Sequence, residues 1–184
     1  MSFSKDANHK PKWIFRSCRI AVLVGLIALQ PPTPAFAQNT AQTGADRSTA
    51  TQTVEAKNKA LVLEAFDTLF NKKDLVAAER FWSANYIQHS AHVPPGRDGL
   101  FNIVRRSPPT LRYEAQQVVA ECDLVMLHGR FSGRGKKPDW IVVDILRIED
   151  GRLAEHWDVI EDEATRATSM SGLPMFGSSF PEAH

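Results

Sequence analysis

Cysteine is scarce in this sequence, which contains only Cys18 and Cys122 among 184 residues. Disulfide-rich domains and structural zinc sites need several cysteines at regular spacing, so both classes are excluded. Cys122 lies between Glu121 and Asp123, whose negative charges do not favour a reactive thiolate. We therefore expect the fold to be stabilised by its hydrophobic core.

An excess of one charge is also absent. The chain has 22 Lys and Arg and 21 Asp and Glu, which gives a formal net charge of +1. Basic residues are concentrated before position 38, so the remainder of the chain is mildly acidic. A nucleic-acid-binding surface normally shows as a basic excess, and we therefore expect no nucleic-acid partner.

Cofactor motifs are missing as well. The sequence has no Walker pattern, no dinucleotide fingerprint and no serine in a Gly-x-Ser-x-Gly turn. His89 and His92 have a His-x-x-His spacing, but two histidines in a loop are weak evidence for metal binding. We expect neither a cofactor nor a metal ion.

The longest apolar run, residues 20–29, is too short to cross a membrane, which takes about 20 helical residues. It follows a basic segment and precedes Ala35-Phe36-Ala37, which is the order of a secretory signal peptide. We predict that residues 1–37 are removed by cleavage after Ala37. The mature protein would be periplasmic or secreted, with no membrane attachment. An uncleaved anchor or a buried helix is the alternative.

The remainder divides into three parts. Residues 38–52 are small and polar and predict a disordered linker, residues 53–161 form one domain, and residues 162–184 form a C-terminal tail. In the domain, apolar residues recur first with helical spacing and later with the alternation of strands. Helices followed by an antiparallel sheet indicate an α+β domain with the helices on one sheet face. The predicted helices span 53–71, 74–82 and 98–106, a short extended piece covers 86–89, and the strands span 111–120, 123–132, 139–149 and 152–160.

Three polar residues interrupt the last two predicted strands: Asp144, His156 and Asp158. His156 and Asp158 share a face because side chains alternate along a strand. A two-residue turn at Asp150-Gly151 would pair Ile145 with His156 and put Asp144 on the opposite face. A three-residue loop that ends in a bulge at Gly151 would instead pair Asp144 with His156. We favour the bulge, because a buried carboxylate without a partner is strongly unfavourable.

Two interpretations of these residues stay open. In the first, they form an acid–base site, since a carboxylate among apolar side chains holds a proton more readily than one in water. Asp158, His156 and Asp144 are the candidates for this site, with His89 or His128 as the donor to a developing oxyanion. In the second, the His–Asp pair only ties two strands together.

We expect a pocket for a small-molecule ligand or substrate beside these residues. Most aromatic side chains of the domain belong to the core, and two or three of them are expected in the pocket wall. The residues that we expect to line it are Phe66, Tyr86, Gln88, Trp140 and Trp157.

Four segments resemble the SnoaL-like family of the NTF2-like superfamily, and most closely its branch described as catalysing aldol condensation. The resemblance covers about residues 54–161. Ser90 stands where the family usually has Asn, and the tail at 171–176 departs from the family's Asn-rich ending. The segments are NKALVLEAF (58–66), YIQHS (86–90), DILR (144–147) and DGRLAEHWDV (150–159).

The resemblance implies a cone-shaped α+β fold, in which a curved antiparallel sheet wraps a long N-terminal helix and encloses a cavity. In polyketide cyclases of this family an aspartate in the last strand is the base for an aldol closure, without metal or cofactor. Here that role falls on Asp158, with Asp144 beside it, in a lyase or isomerase that acts on a small carbonyl compound. The resemblance also implies a homodimer through the outer sheet face. A non-catalytic ligand-binding module and a dimerisation module are the alternatives.

Overall fold

The computed structural model describes residues 52–180. The predicted signal peptide, all of the predicted linker except Gln52, and the last four residues of the predicted tail lie outside this range. Within it, no helix is long and apolar enough to span a membrane.

Three helices flank the sheet, and capping side chains define two of them. Helix α1 spans Val54–Phe66 and begins where the Thr53 side chain accepts a hydrogen bond from the Ala56 amide at 3.2 Å. It continues as a π-helical turn, Asp67–Asn71. Helix α2 spans only Leu75–Ala78 after an Asp74 cap, and helix α3 spans Gly96–Arg106.

The sheet has five strands in the spatial order β1-β5-β4-β3-β2. The strands are β1 Trp82–Gln88, β2 Arg112–Glu121, β3 Leu124–Ser132, β4 Trp140–Glu149 and β5 Arg152–Asp162. The four predicted strands are present, and the pairings among them are antiparallel. The α+β class is therefore confirmed.

The first strand differs from the prediction. Trp82, which we assigned to the second helix, opens β1, and β1 pairs in parallel with β5. The helix ends early because the chain joins the sheet here: the Phe81 carbonyl accepts a hydrogen bond from the Leu153 amide at 2.7 Å. The sheet is consequently mixed rather than wholly antiparallel.

The register of the last hairpin also differs from both predicted alternatives. Asp150 and Gly151 have φ angles of 50° and 70° and form a two-residue turn that pairs Glu149 with Arg152. The bulge lies further along β5, at Ala154, which has no partner in β4. The predicted bulge at Gly151 is therefore wrong.

The bulge at Ala154 nevertheless turns Asp144, His156 and Asp158 to one face of the sheet, as expected. Beyond it, Leu146 pairs with His156, and Asp144 pairs directly with Asp158. One extra residue reverses the alternation of a strand relative to its neighbour, so all three polar residues share one face. The predicted cross-strand pair of Asp144 with His156 is wrong, but the two are diagonal neighbours, which is close enough for contact.

The hydrophobic core lies between the helices and the sheet face that carries these residues. Phe66 from α1 stands edge-on to Tyr113 of β2, with the ring centroids 4.9 Å apart. It also stacks on Trp82 at 6.4 Å, which links α1 to the first strand. Aromatic pairs of this kind contribute roughly 0.5–1.5 kcal/mol beyond the burial of their area. The core is thus anchored close to the polar residues of β4 and β5.

Candidate functional site

A cavity of about 400 Å³ opens between the core and the sheet. Most of its wall is apolar, from side chains such as Phe66, Leu100 and Val104. Polar groups enter it from β1, β4 and β5. These are Tyr86, Gln88, Asp144, His156 and Asp158. A mostly apolar hollow with a few convergent polar groups is the usual form of a small-molecule site.

Asp144 is buried, with 3% of its surface exposed, and both of its carboxylate oxygens are hydrogen-bonded. Oδ1 lies 3.0 Å from His156 Nε2, and the Tyr113 hydroxyl donates to Oδ2 at 2.8 Å. Two good partners offset the cost of taking this carboxylate out of water. Asp144 is therefore fully occupied within the protein.

Tyr113 reaches Asp144 because of two features of its surroundings. Asn71, at the end of the π-helical turn, accepts from the Tyr113 amide at 2.8 Å and donates to the Tyr113 carbonyl at 3.0 Å. The phenol ring then crosses β3 at Gly129, where any side chain would overlap it. Tyr113 was missed by the sequence analysis. The signal was the glycine inside a strand, which often marks a close approach of another group.

His156 is oriented by its second ring nitrogen. Nδ1 lies 2.8 Å from Gln88 Oε1, and the same oxygen accepts from the Ser90 amide at 3.0 Å. Because the backbone N–H of Ser90 needs an acceptor, the Gln88 oxygen faces both groups, and His156 Nδ1 carries its hydrogen.

One proton is therefore shared between His156 and Asp144. Nδ1 of His156 is a donor, so a neutral ring would present a lone pair at Nε2 toward a carboxylate oxygen. Two acceptors do not approach to 3.0 Å without a proton between them. The contact therefore indicates a hydrogen between Nε2 of His156 and Oδ1 of Asp144.

Asp158 differs from Asp144 although the two are cross-strand partners. Asp158 is half-buried and lines the cavity. Within residues 52–180, its carboxylate takes part in no hydrogen bond and no ion pair. It is therefore the carboxylate in the cavity that is free to accept a proton from a ligand.

Both tyrosines near the site are held in the protonated form. Burial raises the pKa of Tyr113 far above its usual value, and the neighbouring Asp144 raises it further. Burial likewise raises the pKa of Tyr86, with smaller contributions in the same direction from Asp144 and Asp158. Both phenols are therefore hydrogen-bond donors at any working pH.

At the rim of the cavity, Arg134 and His92 pack against Trp140. The Arg134 guanidinium lies over the Trp140 ring, 3.1 Å from its centroid, and the His92 ring lies 5.3 Å from it. The Trp140 indole donates to Asp162 Oδ1 at 3.1 Å, which fixes the plane of the ring. Trp140 is thus a rigid part of the rim.

Seven of the ten predicted site residues line the cavity. They are Phe66, Tyr86, Gln88, Trp140, Asp144, His156 and Asp158. Three predicted residues lie elsewhere, namely His89, His128 and Trp157. Their assignment to the pocket is wrong, and strand alternation explains two of these errors.

Trp157 lies between His156 and Asp158 in β5 and so faces the outer side of the sheet. Its ring stacks on His89 with the centroids 4.9 Å apart, and His89 Nε2 lies 2.9 Å from Glu155. Both residues thus belong to the outer surface.

His128 is displaced by the same alternation. It follows Leu127, the β3 partner of Asp144, and therefore faces away from the cavity. Its ring lies 5.8 Å from that of Phe176 in the tail. Among the described residues, no group of three or more His, Cys, Asp or Glu is arranged to hold a metal ion.

Comparison with known proteins identifies relatives of this fold. The profile of the SnoaL-like polyketide cyclases matches residues 60–168, more than half of the chain. A comparison with curated proteins finds no match. Among solved structures, TsrD from Streptomyces laurentii is 25% identical with a TM-score of 0.51, over 60% of this chain and 92% of that one.

Two further structures share the fold. A candidate SnoaL-like polyketide cyclase from Jannaschia sp. CCS1 is 21% identical with a TM-score of 0.50, over 64% of this chain and 92% of its own. A candidate ketosteroid isomerase from Kribbella flavida DSM 17836 is 15% identical with a TM-score of 0.52, over 59% of this chain and 80% of its own. At these identities the likeness concerns the fold alone.

Proposed function

We propose that this protein is a lyase or isomerase that acts on a small carbonyl compound without a cofactor. The chain belongs to the SnoaL-like polyketide cyclase family. Asp158 is the base. The observation that carries this proposal is the contrast within one cross-strand pair: Asp144 has both oxygens bound, whereas Asp158 faces an apolar cavity without a partner.

The chemistry begins with removal of a proton next to a carbonyl group. The Asp158 carboxylate takes the proton from the α-carbon, and the C–H electron pair moves into the carbonyl group to form an enolate. In an isomerase the Asp158 carboxylic acid returns the proton to a different carbon. In an aldol closure the enolate carbon attacks a second carbonyl, and the new alkoxide takes the proton back.

The hydrogen-bonded Asp144–His156 pair supports this step. The imidazole and the Tyr113 phenol occupy both oxygens of Asp144, so Asp144 does not compete with Asp158 for the substrate proton. The apolar wall excludes water and leaves room for a ring-sized substrate, since ligand pockets typically measure about 300–1,000 Å³. We therefore propose cyclic or aromatic ketones as the substrate class.

The test uses 2-tetralone, a bicyclic ketone with acidic α-protons, dissolved in D₂O. The wild-type protein is expected to accelerate the exchange of these protons, followed by ¹H NMR. Asp158→Asn should lower the enzyme-dependent rate by about 100-fold or more, because general-base catalysis typically contributes that much. Asp98→Asn is the matched control, since Asp98 has an exposed side chain in α3.

Two results would contradict the proposal. Exchange at the wild-type rate in Asp158→Asn would remove Asp158 from the chemistry. Binding of 2-tetralone without any acceleration by the wild type would favour a pocket that binds ligands and catalyses nothing.

We also propose that the protein works outside the cytoplasm as a homodimer. The support for export is the order of a basic segment, an apolar run and Ala35-Phe36-Ala37. The apolar side chains of Val119, Val143 and Val159 are exposed on the outer sheet face, in keeping with a dimer there. Mass spectrometry of secreted material should find an N terminus at Gln38, and light scattering should give twice the monomer mass. Retention of residues 1–37 would contradict the proposed export. The mass of a monomer would contradict the proposed dimer.

A further inference from the structure

Three hydrogen-bond donors in the cavity wall have no acceptor. Trp82 Nε1 and Gln88 Nε2 are buried atoms that form no hydrogen bond within the described part of the chain. Tyr86, 5% exposed, stands between these two residues in β1 and lines the same cavity. Buried donors without acceptors are rare and costly, at about 1–3 kcal/mol each, and they point to a group that is supplied from outside.

The three side chains stand at even-numbered positions of β1 and line the same cavity. Burial raises the pKa of Tyr86, and the neighbouring Trp82 and Gln88 side chains oppose that shift. The Gln88 amide is not free to turn, because its oxygen is held by His156 and the Ser90 amide. Its NH₂ group is therefore held on the side of the amide away from His156.

Because burial raises the pKa of Tyr86, the hydroxyl keeps its hydrogen and can donate it to a ligand. Within residues 52–180 the hydroxyl takes part in no hydrogen bond, and Asp144 and Asp158 line the same cavity. A ligand oxygen between Tyr86 and the carboxylates would complete the set.

We propose that the hydroxyl of Tyr86 binds the carbonyl oxygen of the substrate and stabilises the enolate, with Trp82 and Gln88 as positioning residues. This inference rests on the proposed function, in which Asp158 generates that enolate. Tyr86 only donates a hydrogen bond, so the proton balance of the reaction is unchanged. Donors held in place before the reaction cost no reorganisation when charge develops on the oxygen.

The experiment uses 2-naphtholate, an aromatic anion that resembles the enolate of 2-tetralone, and measures its binding to Asp158→Asn. The amide at position 158 stands in for the protonated base and removes a repelling charge. Adding Tyr86→Phe should weaken binding of the ionised form about tenfold, because a hydrogen bond to a charged group is lost. Gln88→Glu keeps the acceptor for His156, removes the N–H donor, and should lower the ionised fraction of bound 2-naphthol.

Naphthalene is the matched ligand control because it has the same shape and no oxygen. Its affinity should be equal in Asp158→Asn with and without Tyr86→Phe. Equal binding of 2-naphtholate by the two proteins would overturn the proposal, as would an equal loss of naphthalene affinity or no binding of either ligand to Asp158→Asn.

A second measurement does not depend on whether the Tyr86→Phe variant folds. The chain contains only two tyrosines, so tyrosine labelled with ¹³C at Cζ gives two resonances, which Tyr113→Phe assigns. In Asp158→Asn, 2-naphtholate should shift the Tyr86 signal and naphthalene should not; an unmoved Tyr86 signal would contradict the proposal. Because Asp158→Asn is catalytically silent, these results stand apart from the exchange assay. Naphtholate binding through Tyr86 with no exchange by the wild type would overturn the proposed reaction and leave Tyr86 as the residue that binds a ligand oxygen.

Discussion

Two clusters of ionisable residues lie on β2 to β5 and their flanks, and the acids in them are stabilised in different ways. The site cluster consists of Tyr113, Asp144, His156 and Asp158. The ion cluster consists of Arg130, Lys137, Asp139 and Glu163. In the ion cluster, Arg130 Nε lies 2.9 Å from Glu163, and Lys137 Nζ lies 3.0 Å from Asp139, so each acid has a permanent cation. The site cluster has no lysine or arginine paired with its acids among the described residues.

This difference separates structural acids from a candidate catalytic acid. Asp139 and Glu163 are 4% and 5% exposed, and burial at that level requires the paired cations. Asp144 is stabilised instead by hydrogen bonds to a phenol and an imidazole. Asp158 has no such partner and presents its carboxylate to the cavity. The predictions below test this division, beginning with the largest expected loss of stability.

Arg130→Met should have the largest effect on stability and little effect on 2-tetralone exchange. The change leaves Glu163 and Asp139 buried with a weakened set of partners, and losses of about 3–5 kcal/mol are usual when a buried ion pair is broken. Urea unfolding at neutral pH measures the loss. Exchange that disappears while the protein is still folded would place the ion cluster in the chemistry.

Asp144→Ala should cost about 2–4 kcal/mol, because it leaves the Tyr113 hydroxyl and His156 Nε2 without their partner. Asp158→Ala is the matched control and should stay within about 0.5 kcal/mol of the wild type, as expected for a side chain without partners. Denaturant midpoints and slopes give both values. Equal losses at the two positions would erase the distinction between the two aspartates.

Gly129→Ala should cost about 1–3 kcal/mol, since the added methyl group overlaps the phenol of Tyr113. The exchange rate should fall as well, because Asp144 loses its donor. Tyr113→Phe provides a double-mutant cycle: the combined variant should lose less than the two single losses together. Additive losses would show that residue 129 does not act through Tyr113.

Glu163→Gln should change the pH dependence of stability by a smaller amount. Burial raises the pKa of Glu163 above its usual 4.5, although Arg130 opposes the shift. The unfolded chain then loses its proton first, so Glu163 lowers the free energy of unfolding as the pH rises from about 4.5 through the raised value. Relative to the wild type, the Gln variant should gain stability over that window. A difference that does not vary with pH would contradict the shift.

The polar residues of the site cluster on β4 and β5 could be predicted from the sequence. The polar residues in the last two strands stood out against Val, Ile and Leu, and their shared face followed from an argument about an unpartnered carboxylate. The predicted register was wrong because a bulge at Gly151 and a bulge at Ala154 turn the same side chains to one face of the sheet. The adjacent apolar residues Leu153 and Ala154, both buried, mark the true bulge.

What the sequence could not supply were contacts between distant elements. Gly129 marks a close approach of some group, but nothing local indicates that the group is Tyr113, from the far edge of the sheet, on its way to Asp144. Gln88 owes its role to a parallel pairing of β1 with β5 that the sequence analysis did not predict. His128 and Trp157 were misassigned because their chemistry was weighed above the alternation of their strands.

The central claim, that Asp158 acts as a free base, is tested most directly by chemical rescue. Asp158→Ala leaves a gap beside the substrate that a small carboxylate can fill, so exchange of 2-tetralone is measured against increasing formate. We expect Asp158→Ala to lose exchange without formate and to regain it as the formate concentration rises. The exchange rate of the wild type should not change with formate. A variant that exchanges normally without formate, or one that formate does not restore, would contradict it.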